Sequence, residues 1–239
     1  MPDVRVGLCG FTVGAAEYAR RFSLVEVQQT FYDPPQRLTL ERWRLRMPPP
    51  FEFTLKAWQL VTHDGALPTY RRMKRPLTRG QLSEAGNFRD SETVRLGWKE
   101  TLACARILAA STVVFQCPAS FRPTDENVAN LCRFFREVDR DGRRFAWEPR
   151  GAWPDELVHD LCGELDLTHA VDPFRQTPVT TGLAYFRIGR AGERRSYSDQ
   201  ELRRLSDLAS RFEIVYAMFN NMPRVGDAER FQAILDSRG

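Results

Sequence analysis

The constraint that most limits this chain is its rhythm. Eight short β-rich runs alternate with segments of helical period: Val4–Cys9, Leu24–Gln28, Phe51–Ala57, Thr112–Cys117, Arg144–Glu148, Thr168–Asp172, Ala184–Gly189 and Glu213–Asn220. Helical patterns fall at Ala15–Phe22, Leu38–Arg46, Ser91–Ala109, Asp125–Asp139, Pro154–Leu165, Ser198–Ser210 and Asp227–Ser237. Strands separated by helices build parallel βαβ units. Eight such units in 239 residues predict a single α/β domain over 1–239, a TIM-type (β/α)8 barrel. The rival is an open doubly wound sheet, but Gly10-Phe11-Thr12-Val13-Gly14 after the first strand is not the glycine-rich phosphate loop such a sheet would carry.

Two places break the rhythm. Only Pro173 to Leu183 separates strands six and seven, too short for a full crossover helix, so that unit is expected to be degenerate. A long insertion, 58–90, follows strand three. It holds Arg71, Arg72, Lys74, Arg75 and Arg79 with no acid between them, and is expected to lie over the barrel mouth as a basic lid or rim. Helix starts carry their own signals. Thr124 precedes Asp125-Glu126, Ser198 stands three residues before Glu201, and Pro154-Asp155-Glu156 places proline and acids in a first turn.

Composition narrows the function classes. The chain is 42% apolar with sixteen Phe and five Trp, enough for a large core. No apolar run reaches the roughly 20 residues of a membrane helix, and the amino terminus lacks a signal-peptide pattern, so the expected setting is cytoplasmic, away from membranes. The five cysteines form no C-x-x-C pair and read as buried thiols. Three histidines are too few for a His-rich multi-metal centre. A net charge of +4 is compatible with an anionic substrate.

Side-chain alternation places the site. Residues two apart in a strand share a face, and the inward face of a barrel opens at its carboxyl end into the active-site mouth. With Val25, Val27, Phe53, Leu55, Phe115, Trp147, Phe186 and Phe219 packed outward, the inward groups near the mouth are Glu26, Gln28, Lys56, Gln116, Glu148, Asp172, Arg187 and Asn220. Buried charges must be paired, so the ring is either a closed ion-pair network or a ligand site. Tyr32, His63, Arg150 and Asn221 lie just beyond strand ends and are expected at the same mouth. His169 falls on the outward face and reads as a packed histidine.

These residues support an enzyme using acid–base chemistry, a hydrolase or isomerase. Glu26, Glu148, Asp172 and Lys56 are its candidate catalytic groups. Gln28, Tyr32, His63, Gln116, Arg150, Arg187, Asn220 and Asn221 are its candidate substrate-binding groups. The substrate would be anionic, of sugar-phosphate or phosphodiester type. No cofactor is required. The oxygen donors would suit magnesium or manganese rather than zinc, although Lys56 and Arg187 already neutralise the carboxylates, and no metal ligands are assigned. A nucleic-acid-binding protein or nuclease, resting on the Arg71–Arg79 cluster, is the alternative; a non-catalytic ligand-binding scaffold is a further one.

Several blocks, in order, also resemble the YecE-like family, known as domain of unknown function seventy-two. Val25-Glu26-Val27-Gln28-Gln29-Thr30-Phe31-Tyr32 is similar to its "VEIN-TFY" block, and Phe53-Thr54-Leu55-Lys56-Ala57 with Thr62-His63 to "F-KA…TH". Phe115-Gln116-Cys117-Pro118-Ala119-Ser120-Phe121 resembles "QFPPSF", and Trp147-Glu148-Pro149-Arg150-Gly151-Ala152-Trp153 resembles "EfRh-SW". Tyr185–Gly189 and Met218–Asn221 resemble "YvRlHG" and "yFNN". Gln28-Gln29 and Cys117-Pro118-Ala119 look like the archaeal branch. Gly189-Arg190 departs from the usual His-Gly. The resemblance implies a TIM-barrel-type fold and no settled activity.

Overall fold

The computed structural model describes residues 2–238. The strands are β1 (Asp3–Cys9), β2 (Leu24–Val27), β3 (Glu52–Lys56), β4 (Thr112–Gln116), β5 (Arg144–Glu148), β6 (Thr168–Val171), β7 (Leu183–Ile188) and β8 (Ile214–Phe219). The helices are α1 (Ala15–Tyr18), α2 (Gln29–Tyr32), α3 (Arg37–Arg46), α4 (Gln59–Thr62), α5 (Arg79–Glu84), α6 (Glu92–Leu108), α7 (Asp125–Glu137), α8 (Asp155–Glu164), α9 (Asp199–Ala209) and α10 (Arg224–Asp236). Every strand pairs in parallel with the next, and β8 pairs with β1, closing an eight-stranded barrel. All eight predicted strands are present. No helix is described between β6 and β7, where the crossover is an irregular connection.

Alternation sorts the strand residues as expected. Val25, Val27, Phe53, Leu55, Phe115, Trp147, Val171, Phe186 and Phe219 belong to the outer core beneath the helices. Cys9, Leu24, Val114, Ala146, Ala170, Tyr185, Tyr216 and Met218 form a separate cluster inside the barrel. The outer core is most aromatic where α6 and α7 cover β4 and β5. There Phe115 meets Phe135 and Phe145 at centroid distances of 4.9 and 5.1 Å, edge to face. Each such ring contributes roughly 1.5–3 kcal/mol through burial.

Local sequence sets the helix starts. Thr124 accepts from the Asn127 amide, and Ser198 and Glu201 form a reciprocal capping box at α9. Pro154 stands at the α8 N-cap with Asp155 and Glu156 in its first turn. Among the described residues no helix is long and apolar enough to cross a membrane.

The insertion is more ordered than a basic lid. It contains α4, which is fully buried, a 3-10 turn at Pro68–Arg72, and α5, and it packs a small core of Trp58, Leu60 and Ala85. Gly86 returns the chain against α4, donating its amide to Leu60 O. Its φ of +80° and the His63 carbonyl carbon, 2.1 Å from where a Cβ would stand, leave room for glycine alone. The five cations of the segment are all exposed on its outer side.

The barrel's amino end is closed by a second polar cluster. Glu52 accepts from Arg5, Ser111 and the Tyr216 hydroxyl. The carboxyl end is therefore the open one.

Candidate active site

Register brings the inward ends of the strands together. Glu26 pairs laterally with Cys9, and Gln116 with Glu148. Arg187, on β7, reaches across the lumen from the opposite wall. It organises the ring into two tiers.

The lower tier is closed. Arg187 Nε and Nη2 donate to Glu26 Oε2 and Oε1 at 3.0 and 2.7 Å, and Nη1 donates to Gln116 Oε1 at 3.0 Å and to Glu148. The Tyr185 hydroxyl donates to Glu26 at 2.9 Å and lies 2.7 Å from Thr54 Oγ1, and the Gln28 amide also donates to Glu26. Glu26 is 0% and Arg187 3% exposed. Burial alone would lower the Arg187 pKa, but Glu148 and Glu26 outweigh it and hold the guanidinium charged. Burial likewise opposes ionisation of Glu148, yet Arg187 and Arg150 hold its carboxyl below the usual range.

The upper tier is open. It is a cavity of about 660 Å3, a volume that suits a small organic ligand. Lys56, Gln116, Glu148, Arg187 and Asn220 form its floor, from the strand ends. Gln28, Tyr32, His63, Arg150 and Asp172 form its walls, as expected from their places after β2, β3, β5 and β6. Arg150 donates its Nε to Glu148 at 2.6 Å and remains partly exposed. Arg175 and Arg190 complete a rim with an excess of positive charge.

Lys56 is the group whose state is most altered. It is 5% exposed, and its Nζ sits 3.6 Å from the centroid of Phe31. Glu26 and Glu148 are tied to Arg187, and no carboxylate lies within ion-pair reach of Lys56 among the described residues. Burial, then the Arg187 charge, push the amine down to about 7, with Glu26 and Glu148 only partly offsetting them. His63 stacks edge-on against Phe31, and its Nδ1 lies 2.8 Å from Thr62 Oγ1. Burial, with the nearby Lys56 and Arg150 charges, lowers it to about 3, so the ring is neutral at neutral pH.

Three expectations change. Glu26, expected as a catalytic carboxylate, does not line the cavity, because Arg187 covers it from above and saturates it. Asn221, expected on substrate, is buried away from the mouth, donating to Arg195 O and Asp227. Asp172 lines the cavity, but both its oxygens are engaged. They accept from the Phe174 and Gly189 amides and from Arg175 Nε, so it braces the β6 and β7 ends together. The basic lid also differs: none of its five cations lines the cavity. Arg72 alone reaches the rim, donating to the Tyr32 hydroxyl at 3.0 Å. The insertion's own contributions to the wall are His63 and Thr69.

Arg175, Thr69 and Phe31 escaped sequence reasoning. Arg175 and Thr69 lie in segments without strand or helix period, and the ring of Phe31 is aromatic in a run where alternation had already ended. His169 is buried and outward, as expected, accepting the Val179 amide on Nδ1, which ties the irregular β6–β7 connection to the strand. The donor set does not fit a divalent cation well. No three of the His, Cys, Asp and Glu side chains converge among the described residues, and Arg187 stands between Glu26 and Glu148, where such an ion would sit.

Comparisons with known proteins agree with this architecture. A family model described as a protein of unknown function, DUF72, matches residues 14–238. A DUF72 family protein from Enterococcus faecalis superposes with a TM-score of 0.72 at 20% identity, covering 98% of this chain and 95% of that one. One from Thermotoga maritima gives 0.69 at 21% identity over 98% and 99%. A xylose isomerase domain containing protein from Salmonella typhimurium gives 0.58 at 13% identity over 98% and 96%. No curated protein matches the sequence.

Proposed function

Because the chain belongs to the DUF72 family, whose description names no reaction, we propose its function from the cavity itself: it is an enzyme performing acid–base chemistry on a small anionic substrate of sugar-phosphate type. The observation that carries this is Lys56, a buried amine brought down to about 7 at the floor of an arginine-rimmed cavity. A base with a pKa near ambient pH is half free to take a proton and still able to return it. Arg150 and Arg190 supply charge for the anion, and Glu148 holds Arg150 in place. The neutral His63 and the Tyr32 hydroxyl can donate or accept hydrogen bonds from substrate hydroxyls.

Isomerisation by proton abstraction beside a carbonyl is the reaction class that suits a single free base; hydrolysis is the alternative. The test is calorimetric titration with inorganic phosphate and a panel of sugar phosphates, followed by turnover assays of the wild type and Lys56→Met. Absence of anion binding, or turnover that survives Lys56→Met, would overturn the proposal. A phosphodiester or nucleic-acid substrate is favoured by one separate observation, the exposure of Arg71, Lys74 and Arg79, which form no ion pair among the described residues. A binding constant that does not fall with added salt would remove that reading. The five free cysteines support a cytoplasmic setting, and Gln28-Gln29 with Cys117-Pro118-Ala119 supports the archaeal-type branch of the family.

A further inference from the structure

We infer that Lys56 acts covalently, its Nζ condensing with a carbonyl carbon of the substrate to form an imine. The inference deepens the proposed function and rests on the cavity being an anion-binding site.

Residue choice is the first support. Of 35 basic side chains only Lys56, Lys74 and Lys99 are lysines. Wherever this chain needs positive charge it uses arginine, even at the centre of the ring, where Arg187 is buried between two carboxylates. Lys74 and Lys99 are exposed. Lys56, the buried one of the three lysines, forms part of the cavity floor. A guanidinium would serve there as a fixed charge, whereas only an amine can shed its proton and become a nucleophile.

Geometry is the second. Each carboxylate that might hold Lys56 as a structural ammonium is bound by Arg187, so the amine is left for the cavity. Phe31 lies under Nζ at 3.6 Å. The ring face offers the amine no more than a weak N–H···π contact and leaves its lone pair free for the cavity. Its attraction for a cation, which favours a protonated imine, favours the ammonium as well, and burial with the Arg187 charge outweighs it there. Burial supplies the neutral amine near pH 7.

The step balances without an added reagent. The Nζ lone pair forms a C–N bond and the carbonyl π pair moves to oxygen. A proton passes from nitrogen to that oxygen, and the carbinolamine loses hydroxide, which takes a proton from solvent in the open cavity and leaves as water. The product is a protonated C=N bond; no electrons are transferred. That cation acidifies the adjacent C–H, the bond an isomerase must break. With the Nζ lone pair used in the imine, Lys56 is then the electron sink, and the proton passes to Glu148, the ionised carboxylate on the cavity floor.

Pyridoxal 5′-phosphate, an aldehyde carrying a phosphate, is a suitable probe, with borohydride reduction and peptide mass mapping of the intact protein. The expected result is labelling of Lys56 at least ten-fold faster than Lys74 or Lys99, slowed by inorganic phosphate and rising through about pH 7. Labelling confined to Lys74, Lys99 or the amino terminus, while phosphate still raises the melting temperature, would overturn the imine and leave the cavity reading standing. No stabilisation by phosphate together with no label at Lys56 would overturn both. Label at Lys56 that phosphate does not slow would retain the amine's reactivity and remove the anionic substrate. A Lys56→Arg variant, checked for folding by circular dichroism, should lose the label; if it fails to fold, the wild-type map decides alone.

Discussion

Arg187 clasps Glu26 with two nitrogens, Nε to Oε2 at 3.0 Å and Nη2 to Oε1 at 2.7 Å, while its third nitrogen turns to Gln116 and Glu148. One guanidinium thereby neutralises two buried carboxylates from different strands. Replacing it leaves Glu26 without a counter-ion and Glu148 with Arg150 alone. Arg187→Met should cost about 3–5 kcal/mol in urea unfolding, the usual loss when one partner of a buried pair is removed. A loss under about 1 kcal/mol would show that the carboxylates find protons or water at little cost.

Glu26→Gln should be milder than Arg187→Met. The amide oxygen still accepts from Arg187 or Tyr185, and Glu148 still offsets the guanidinium. Phosphate affinity should stay within a few-fold of wild type, because Glu26 lies beneath the cavity and does not line it. A collapse in phosphate affinity with unchanged stability would place Glu26 on the ligand after all.

Lys56 makes stability depend on pH with a definite sign. Its folded pKa, about 7, is below the unfolded value of 10.5. Between the two the unfolded chain binds more protons, so stability rises with pH across this window. The slope is about 1.4 kcal/mol per pH unit at full difference. Below pH 7 both states are protonated and the penalty of a buried ammonium is fully present. Chemical denaturation at pH 7 to 9.5 should show this slope, and Lys56→Met should remove it. Equal slopes in the two proteins would contradict a neutral buried amine.

His63 behaves in the acid range by the same logic. Its folded pKa of about 3 lies below the ordinary 6.5, so its contribution to stability is lost as pH falls through that interval. Its ring-proton NMR shift should stay constant from pH 8 to about 4. A midpoint near 6 would mean the ring is solvated.

Gly86→Ala should destabilise by about 2 kcal/mol or more, because the left-handed backbone and the approach of His63's carbonyl add their costs. The His63 resonances should move as well, since the same contact holds that residue against the cavity. Unchanged stability would show that the insertion can shift freely.

Arg150→Gln should weaken phosphate binding by about 10- to 100-fold, the scale of a lost hydrogen bond to a charged group. Calorimetry decides it, and unchanged affinity would move the anion to Arg175 or Arg190.

Alternation and helical period, read along the chain, determined the eight strands and which strand residues face the lumen. These follow from nearest-neighbour geometry, since a side chain's face depends only on its place in its own strand. Tertiary structure alone decided depth and partnership. Glu26 and Glu148 look alike in sequence, both inward and both near a strand end. Only the reach of Arg187 from the opposite wall buries one beneath the cavity and leaves the other lining its floor. Lys56 in isolation reads as a charged lysine. Its loss of charge comes from being sealed over Phe31 while its potential counter-ions are bound elsewhere. The cations of the basic insertion stay out of the cavity, with Arg72 alone reaching its rim, for the same reason. They are legible in the sequence, but the small core under Trp58 turns them outward, and a contact between distant segments leaves no period in the chain.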